Sequence, residues 1–173
     1  MSDITIRPAT GADETFVRGL YFASFPAEER RPWESLWHPN AACGPSALVI
    51  ESGGVPAGFF TEWHFGSFRY IEHFATDARL RGSGIGSEAL RALVQSDAAP
   101  VVLEVELPGA NDMASRRIEF YRRNGFETLD FHYIQPPYAP GLPELELLLM
   151  ATGSVDVREV ARTLHRKVYG LNP

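Results

Sequence analysis

The chain has 173 residues, 45% of them hydrophobic, 12% aromatic and 22% charged. That is enough for one globular domain with a full core, and it excludes global disorder. A net charge of −6 argues against a protein whose main task is coating nucleic acid or an anionic membrane. The single cysteine, Cys43, excludes an internal disulfide framework and a multi-cysteine zinc site. No apolar run approaches the roughly 18 residues of a membrane span. The stretch Met1 to Arg7 lacks a basic segment followed by an apolar run, so no secretory leader and a cytoplasmic location are expected. Lys167 is the only lysine, which speaks against a Schiff-base mechanism.

In chain order, Ile4–Ile6–Pro8 is a short alternating strand ended by its proline. Thr10 and Asp13 approach a capping box for a helix carrying Phe16, Val17, Leu20, Tyr21 and Ala23. A charged and aromatic segment, Glu28 to Trp37, contains a short helix opened by Pro32. Strands are expected at Ala47–Glu51, Gly58–Phe65 and Phe68–Thr76, joined by turns at Ser52-Gly53-Gly54 and Gly66-Ser67. A glycine-rich loop then opens a helix with Ile85, Ala89, Leu90, Leu93 and Val94 on one face. Val101–Glu106 reads as a buried strand and Met113–Asn124 as a helix stopped by Gly125. Phe126–Gln135 and Glu144–Ala151 read as two more strands around a proline-rich connection. The chain closes on a helix, Val155–Tyr169. This order predicts an α/β (α+β) fold with one mixed sheet.

The loop Arg79-Leu80-Arg81-Gly82-Ser83-Gly84-Ile85-Gly86 follows a strand and precedes an amphipathic helix. Glycines let the backbone approach a ligand, and the open amides of a helix start attract negative charge. Arg79 and Arg81 add positive charge, so the segment reads as an anion site. It is no Walker loop, because no Gly-Lys-Ser/Thr follows. It is no Rossmann loop either, because it lies mid-chain after an antiparallel run.

Arg81-x-x-Gly84-x-Gly86 resembles the Arg/Gln-x-x-Gly-x-Gly/Ala signature of the GNAT (Gcn5-related) acyltransferases. Phe74-Ala75-Thr76 sits where that family ends its fourth strand, and Phe120-Tyr121-Arg122-Arg123-Asn124-Gly125-Phe126 looks like its late Phe-Tyr-x-x-x-Gly-Phe motif. The resemblance implies the GNAT acyl-CoA N-acyltransferase fold, a mixed central sheet flanked by helices, with an extra C-terminal helix. It assigns 2–151 to the acetyltransferase domain and 152–173 to a helical extension packed on it. It also implies acetyl-CoA as co-substrate, with no metal, and direct transfer of the acetyl group to a primary amine. The backbone of Phe74, Ala75 and Thr76 would then pair with the pantetheine arm. The amides of Arg81, Gly82, Ser83, Gly84, Ile85, Gly86 and Ser87 would hold the pyrophosphate, with Arg79 adding charge. In the family the fourth and fifth strands splay apart around the thioester.

By the same resemblance Tyr121 protonates the departing CoA thiolate; the alternative is a core aromatic beside Phe120. The family's Asn and Ala upstream of this tyrosine are Ala114 and Arg117 here, which keeps open a non-catalytic acyl-CoA binding or sensing module. An alkyl amine with pKa near 10 is only about a thousandth neutral at pH 7, so the reaction needs a base. Leu103-Glu104-Val105 resembles the fifth strand of ribosomal-protein acetyltransferases, where the glutamate is that base. Glu104 therefore ranks first, Glu72 second and Glu106 third. The alternative for each is a solvated or salt-bridged carboxylate.

The acceptor is expected to be a small-molecule amine or a peptide amine, with no nucleic acid and no membrane as partner. Glu28, Glu29, Trp33, Trp37, Trp63, Tyr138 and the segment Pro136–Pro143 are the candidate acceptor elements. His38, His64 and His73 lack close metal-ligand spacing. Arg116, Arg117, Arg122 and Arg123 read as a solvated helix face or as a contact for the adenosine phosphate. Val157, Val160, Ala161, Leu164 and Val168 form an apolar face to bury against the domain or a second subunit, so a homodimer is compatible.

Overall fold

The computed structural model describes residues 3–37 and 44–171; His38 and Cys43 lie outside the described residues. Contacts divide the chain into two units, Met1–Trp63 with Ile71–Ala98 and His64–Tyr70 with Ala99–Pro173. The fold class is the expected one, a mixed central sheet flanked by helices.

The first unit begins with β1 (Ile4–Pro8), which pairs antiparallel with β2 (Ser46–Ser52). β2 pairs antiparallel with β3 (Val55–His64), with a register shift between Ile50 and Glu51. β4 (Arg69–Thr76) follows β3 in the sheet order and supplies this unit from Ile71 onward. Helices α1 (Glu14–Ser24), α2 (Trp33–Leu36) and α3 (Ile85–Gln95) complete it. Val17 and Tyr21 of α1 bury with Trp33, Leu36, Val49 and Phe59 in one cluster, because the apolar residues of α1 recur at helical spacing.

The 3-10 turn Gly11–Asp13 that leads into α1 is held by an ionic capping box. The Asp13 carboxylate accepts from both terminal nitrogens of Arg7 at 2.8 and 2.9 Å and from the Thr10 amide at 2.8 Å. The Arg7 hydrogen bonds are the main reason its carboxyl lies well below the usual carboxylate range. Asp13→Ala should cost about 1–2 kcal/mol, the upper range for a lost helix cap. Because the folded carboxyl titrates below its unfolded value, this contribution is complete above about pH 4 and fades as pH falls further. Thermal unfolding of both proteins from pH 7 to pH 3 checks it: the two curves should converge in acid, and a constant gap would refute the assignment.

Gly58 on β3 shows how closely β4 lies against it. A Cβ built there would meet the Ala75 carbonyl oxygen at 2.5 Å and Thr76 Cα at 3.1 Å. The Asp77 amide also donates to the Ala57 carbonyl at 2.8 Å. The end of β4 is thus held by backbone contact that only glycine permits.

In the second unit, β5 (Val101–Glu106) and β8 (Leu145–Ala151) pair antiparallel, placing Glu104 opposite Leu149 and Glu106 opposite Leu147. α4 (Ala114–Arg123) packs on β5. The expected strand over 126–135 is divided into β6 (Glu127–Thr128) and β7 (Tyr133–Gln135). Both pair with β8, but in different registers. The break is a turn in which the Phe131 amide donates to the Leu129 carbonyl. The expected closing helix is also divided, into α5 (Val157–Thr163) and a wider π-type turn, Leu164–Val168. Val160, Ala161, Leu164 and Val168 are buried, as their spacing predicts. Among the described residues no helix is long and apolar enough to cross a membrane.

Candidate active site

In the first unit the loop after β4 has the geometry that its glycines require. Gly82 and Gly84 adopt φ of +79° and +85°, a region that side chains with a Cβ rarely enter. Gly84 caps the N-terminus of α3, and amides in a first helical turn have no carbonyl one turn back to bond. Arg81, Gly82, Ser83 and Gly84 are exposed, while Ile85 is buried and anchors the helix start. The Arg81 and Ser83 amides already donate to the Ala78 and Leu80 carbonyls at 3.3 Å. Arg79 is also engaged: its guanidinium forms an exposed ion pair with Asp77 just outside the loop. Arg81 has no ion pair among the described residues and is the cation available to a phosphate.

Phe74 and Thr76 on β4 are half-buried and Ala75 is buried. Glu72, two residues earlier, has a fully buried side chain. One of its oxygens accepts from Arg31 Nε at 2.8 Å and the other from Trp63 Nε1 at 2.7 Å. Its charge is thus matched by Arg31, a residue the sequence reading did not single out. His73 is buried against Tyr21 and Phe25. Its Nε2 donates to the Glu29 carbonyl and its Nδ1 accepts from Thr61 Oγ1. Burial holds this imidazole below its usual pKa, so it is a neutral packing residue, while His64 is exposed.

In the second unit alternation places Glu104 and Glu106 on one face of β5. The registers extend that face through Leu149, Leu147 and Leu145 to Tyr133 and Gln135 on β7. Glu104 Oε1 accepts from the Tyr133 hydroxyl at 2.8 Å. The Tyr169 hydroxyl lies 2.9 Å from both oxygens of the same carboxylate. The Tyr70 hydroxyl is 3.4 Å from that of Tyr169, and the Tyr138 ring centroid is 5.1 Å from the Tyr169 ring. Burial, reinforced by the Glu104 charge, pushes the Tyr133 and Tyr169 phenols far above their usual range. Both remain proton donors at any ordinary pH. Gln135 Nε2 is a buried side-chain donor without a partner among the described residues.

Glu106 is committed elsewhere, to Arg117 at 2.5 Å and Asn111 at 3.2 Å. Arg122 pairs with Glu119 at 2.7 Å, so part of the arginine cluster is a paired helix face. Tyr121 on α4 is half-buried, with ring centroids of Phe120 and Phe126 at 5.3 and 5.6 Å. No described residue hydrogen-bonds its hydroxyl. Burial pushes the phenol up to about 12; Arg117 opposes the shift and Glu106 adds to it. The described residues contain no group of three or more His, Cys, Asp or Glu able to hold a metal ion.

The residues that sequence reasoning missed are Tyr133 and Tyr169. Nothing in their spacing marks them, since Tyr133 reads as a strand residue and Tyr169 as the end of a helix. Only the pairing of β7 with β8 and the path of the final turn bring both to Glu104.

The profile of the Acetyltransferase (GNAT) family matches residues 15–126. A Bacteroides thetaiotaomicron protein assigned to that family has a structure similar to this one, with a TM-score of 0.90 and 38% identity, over 97% of this chain and 99% of that chain. Arabidopsis thaliana Naa50, in complex with a CoA-containing bisubstrate analogue, matches with a TM-score of 0.63 and 17% identity over 87% and 99% of the two chains. A ribosomal-protein-alanine N-acetyltransferase from Brucella melitensis gives 0.57 and 20% over 85% and 98%. These last two likenesses show the fold alone. A comparison with curated proteins finds no match. The chain belongs to the GNAT acetyltransferase family and is an acyltransferase.

Proposed function

We propose that the protein transfers the acetyl group of acetyl-CoA to a primary amine by direct attack. The observation that carries this reading is the left-handed Gly82–Gly84 turn opening α3 directly after β4, in a chain of the acetyltransferase family. In this reading the backbone of Phe74, Ala75 and Thr76 pairs with the pantetheine arm. The loop from Arg81 to Ser87 holds the pyrophosphate through its amides and the Arg81 side chain. Arg79, tied to Asp77, serves the loop's shape more than the ligand's charge.

Glu104 takes a proton from the acceptor's ammonium, and the neutral nitrogen attacks the thioester carbonyl. The carbon–sulfur bond then breaks, the thiolate takes a proton from Tyr121, and the extra proton on the new amide nitrogen passes to the Tyr121 phenolate, restoring the phenol. Glu104 is preferred over Glu72, whose buried ion pair with Arg31 would be broken by protonation. It is preferred over Glu106, which is held by Arg117. The acceptor is a small-molecule or peptide amine. The acyltransferase domain occupies 2–151, and 152–173 extends it.

Release of free thiol from acetyl-CoA across a panel of amines tests the reading. Acetyl-CoA that stabilises the protein thermally but yields no thiol with any amine would point instead to a binding or sensing module. Tyr121→Phe should lower kcat about tenfold, a modest share for an acid whose leaving group is a thiolate. Because the phenol stays protonated up to about pH 12, Tyr121 should add no basic limb below that pH. Wild-type kcat in Tyr121→Phe from pH 6 to 10 would remove the acid assignment.

A further inference from the structure

We infer that Tyr169, carried by the last turn of the chain, is a positioning residue for the Glu104 carboxylate. This makes the C-terminal segment a working part of the acetyl-transfer site rather than an appendage. The inference rests on the reading of Glu104 as base and names a residue outside the stretch 15–126 that the family profile matches.

Three observations lead to it. The Tyr169 hydroxyl lies at 2.9 Å from both oxygens of Glu104, so its single proton is shared across the carboxylate and fixes the plane of that group. The turn that delivers it departs from α-helical geometry. The Tyr169 amide donates at 3.1 Å to the Leu164 carbonyl five residues back, a widened turn of the kind that recurs at functional sites. That turn is pinned on both sides: Leu164 and Val168 are buried, His165 Nε2 donates to the Ile134 carbonyl at 2.9 Å, and the Leu171 amide donates to the His165 carbonyl at 2.8 Å. Had the segment only needed to cover apolar surface, a regular helix with the same four buried residues would have sufficed.

Near this carboxylate phenols gather from separate elements, two of them donating to it. Tyr133 comes from β7, Tyr169 from the final turn, Tyr70 from β4 through its 3.4 Å contact to Tyr169, and Tyr138 from the proline-rich connection. The His165 ring lies 5.4 Å from that of Tyr133. Each O–H that donates to the carboxylate favours its ionised form. Tyr169 therefore keeps Glu104 ionised, and so able to accept the ammonium proton, at lower pH than burial alone would allow. It also aims the oxygen that accepts.

The test is Tyr169→Phe, which keeps the ring and removes the hydroxyl, with folding verified by circular dichroism. The acid limb of kcat/KM for the amine should move up by about one pH unit, the scale of one hydrogen bond to a charged group. KM for acetyl-CoA should stay unchanged. Tyr133→Phe, which removes a second phenol donor, should move the limb in the same direction. A readout independent of turnover is the carbon-13 titration of the Glu104 carboxyl, its resonance identified by loss in Glu104→Gln. Its midpoint should rise in Tyr169→Phe. A variant that loses activity equally at every pH, or one identical to wild type, overturns the inference while leaving Glu104 as base intact. If instead Glu104→Gln retains wild-type acetylation, the base assignment falls; the carbon-13 titration still decides whether Tyr169 governs that carboxylate.

Discussion

Glu104→Gln should lower kcat/KM for the amine by roughly 10²–10⁴ at pH 7, the range for loss of a general base. The substitution keeps the side chain's size and leaves an amide that can still pair with Tyr133 and Tyr169, so the fold should lose only about 1 kcal/mol. The pH dependence separates a base from a merely structural carboxylate. Without a protein base, reaction depends on acceptor that is already neutral. The neutral fraction of an alkyl amine grows tenfold per pH unit below its pKa near 10. The variant should therefore recover steeply between pH 7 and 10, closing most of its gap to wild type. A deficit that stays constant over that range would mean Glu104 acts by shape alone. Wild-type rates at pH 7 would move the base to another residue, Glu72 first.

Gly58→Ala should both destabilise the protein and weaken its hold on acetyl-CoA. The added methyl would sit 2.5 Å from the Ala75 carbonyl oxygen and 3.1 Å from Thr76 Cα. Both are backbone atoms, so neither can swing aside as a side-chain tip would. β4 must move or the methyl must be accommodated by strain. Overpacking of this kind costs about 1–3 kcal/mol, which lowers Tm by roughly 3–10 °C in a chain of this size. The displaced residues belong to the Phe74–Thr76 backbone that the proposed function assigns to pantetheine. KM for acetyl-CoA should accordingly rise about fivefold or more, while kcat at saturating acetyl-CoA changes little. Calorimetry and initial rates together check this. An unchanged Tm would show that β3 and β4 yield freely at this point. A lower Tm with unchanged KM would detach Ala75 and Thr76 from the cofactor arm.

The glycine loop was legible because its conformation is local. Glycines at 82 and 84, where a loop opens a helix after a strand, favour left-handed backbone wherever the chain is placed, and Gly86 lies within α3. The segment 126–135 reads as one strand because apolar residues recur along it with no proline or glycine between them. Its division into β6 and β7 depends on two different registers against β8, and register is a property of the pair, not of either strand. The standing of the three carboxylates was equally beyond the sequence. Glu72, Glu104 and Glu106 all lie on strands with apolar neighbours. One meets Arg31, one meets two phenols and one meets Arg117.

By itself, then, the sequence determined the fold class and the family, and it pointed to the glycine loop and to a short list of acids and bases. Each of these rests on periodicity or on motifs of neighbouring residues, which act through local backbone geometry. Only the tertiary structure decided that Glu72 meets Arg31, that Glu106 meets Arg117 and that phenols donate to Glu104. It also decided that Tyr133 and Tyr169 converge on Glu104, and that Arg79 belongs to Asp77. Hydrogen bonds and ion pairs act over a few ångströms, and the chain folds partners tens of residues apart into that range. Charge counting along the chain cannot see such contacts. The net charge of −6 averages over them: it argues against a polyanionic partner but leaves room for Arg81 and the amides of one loop to meet a phosphate.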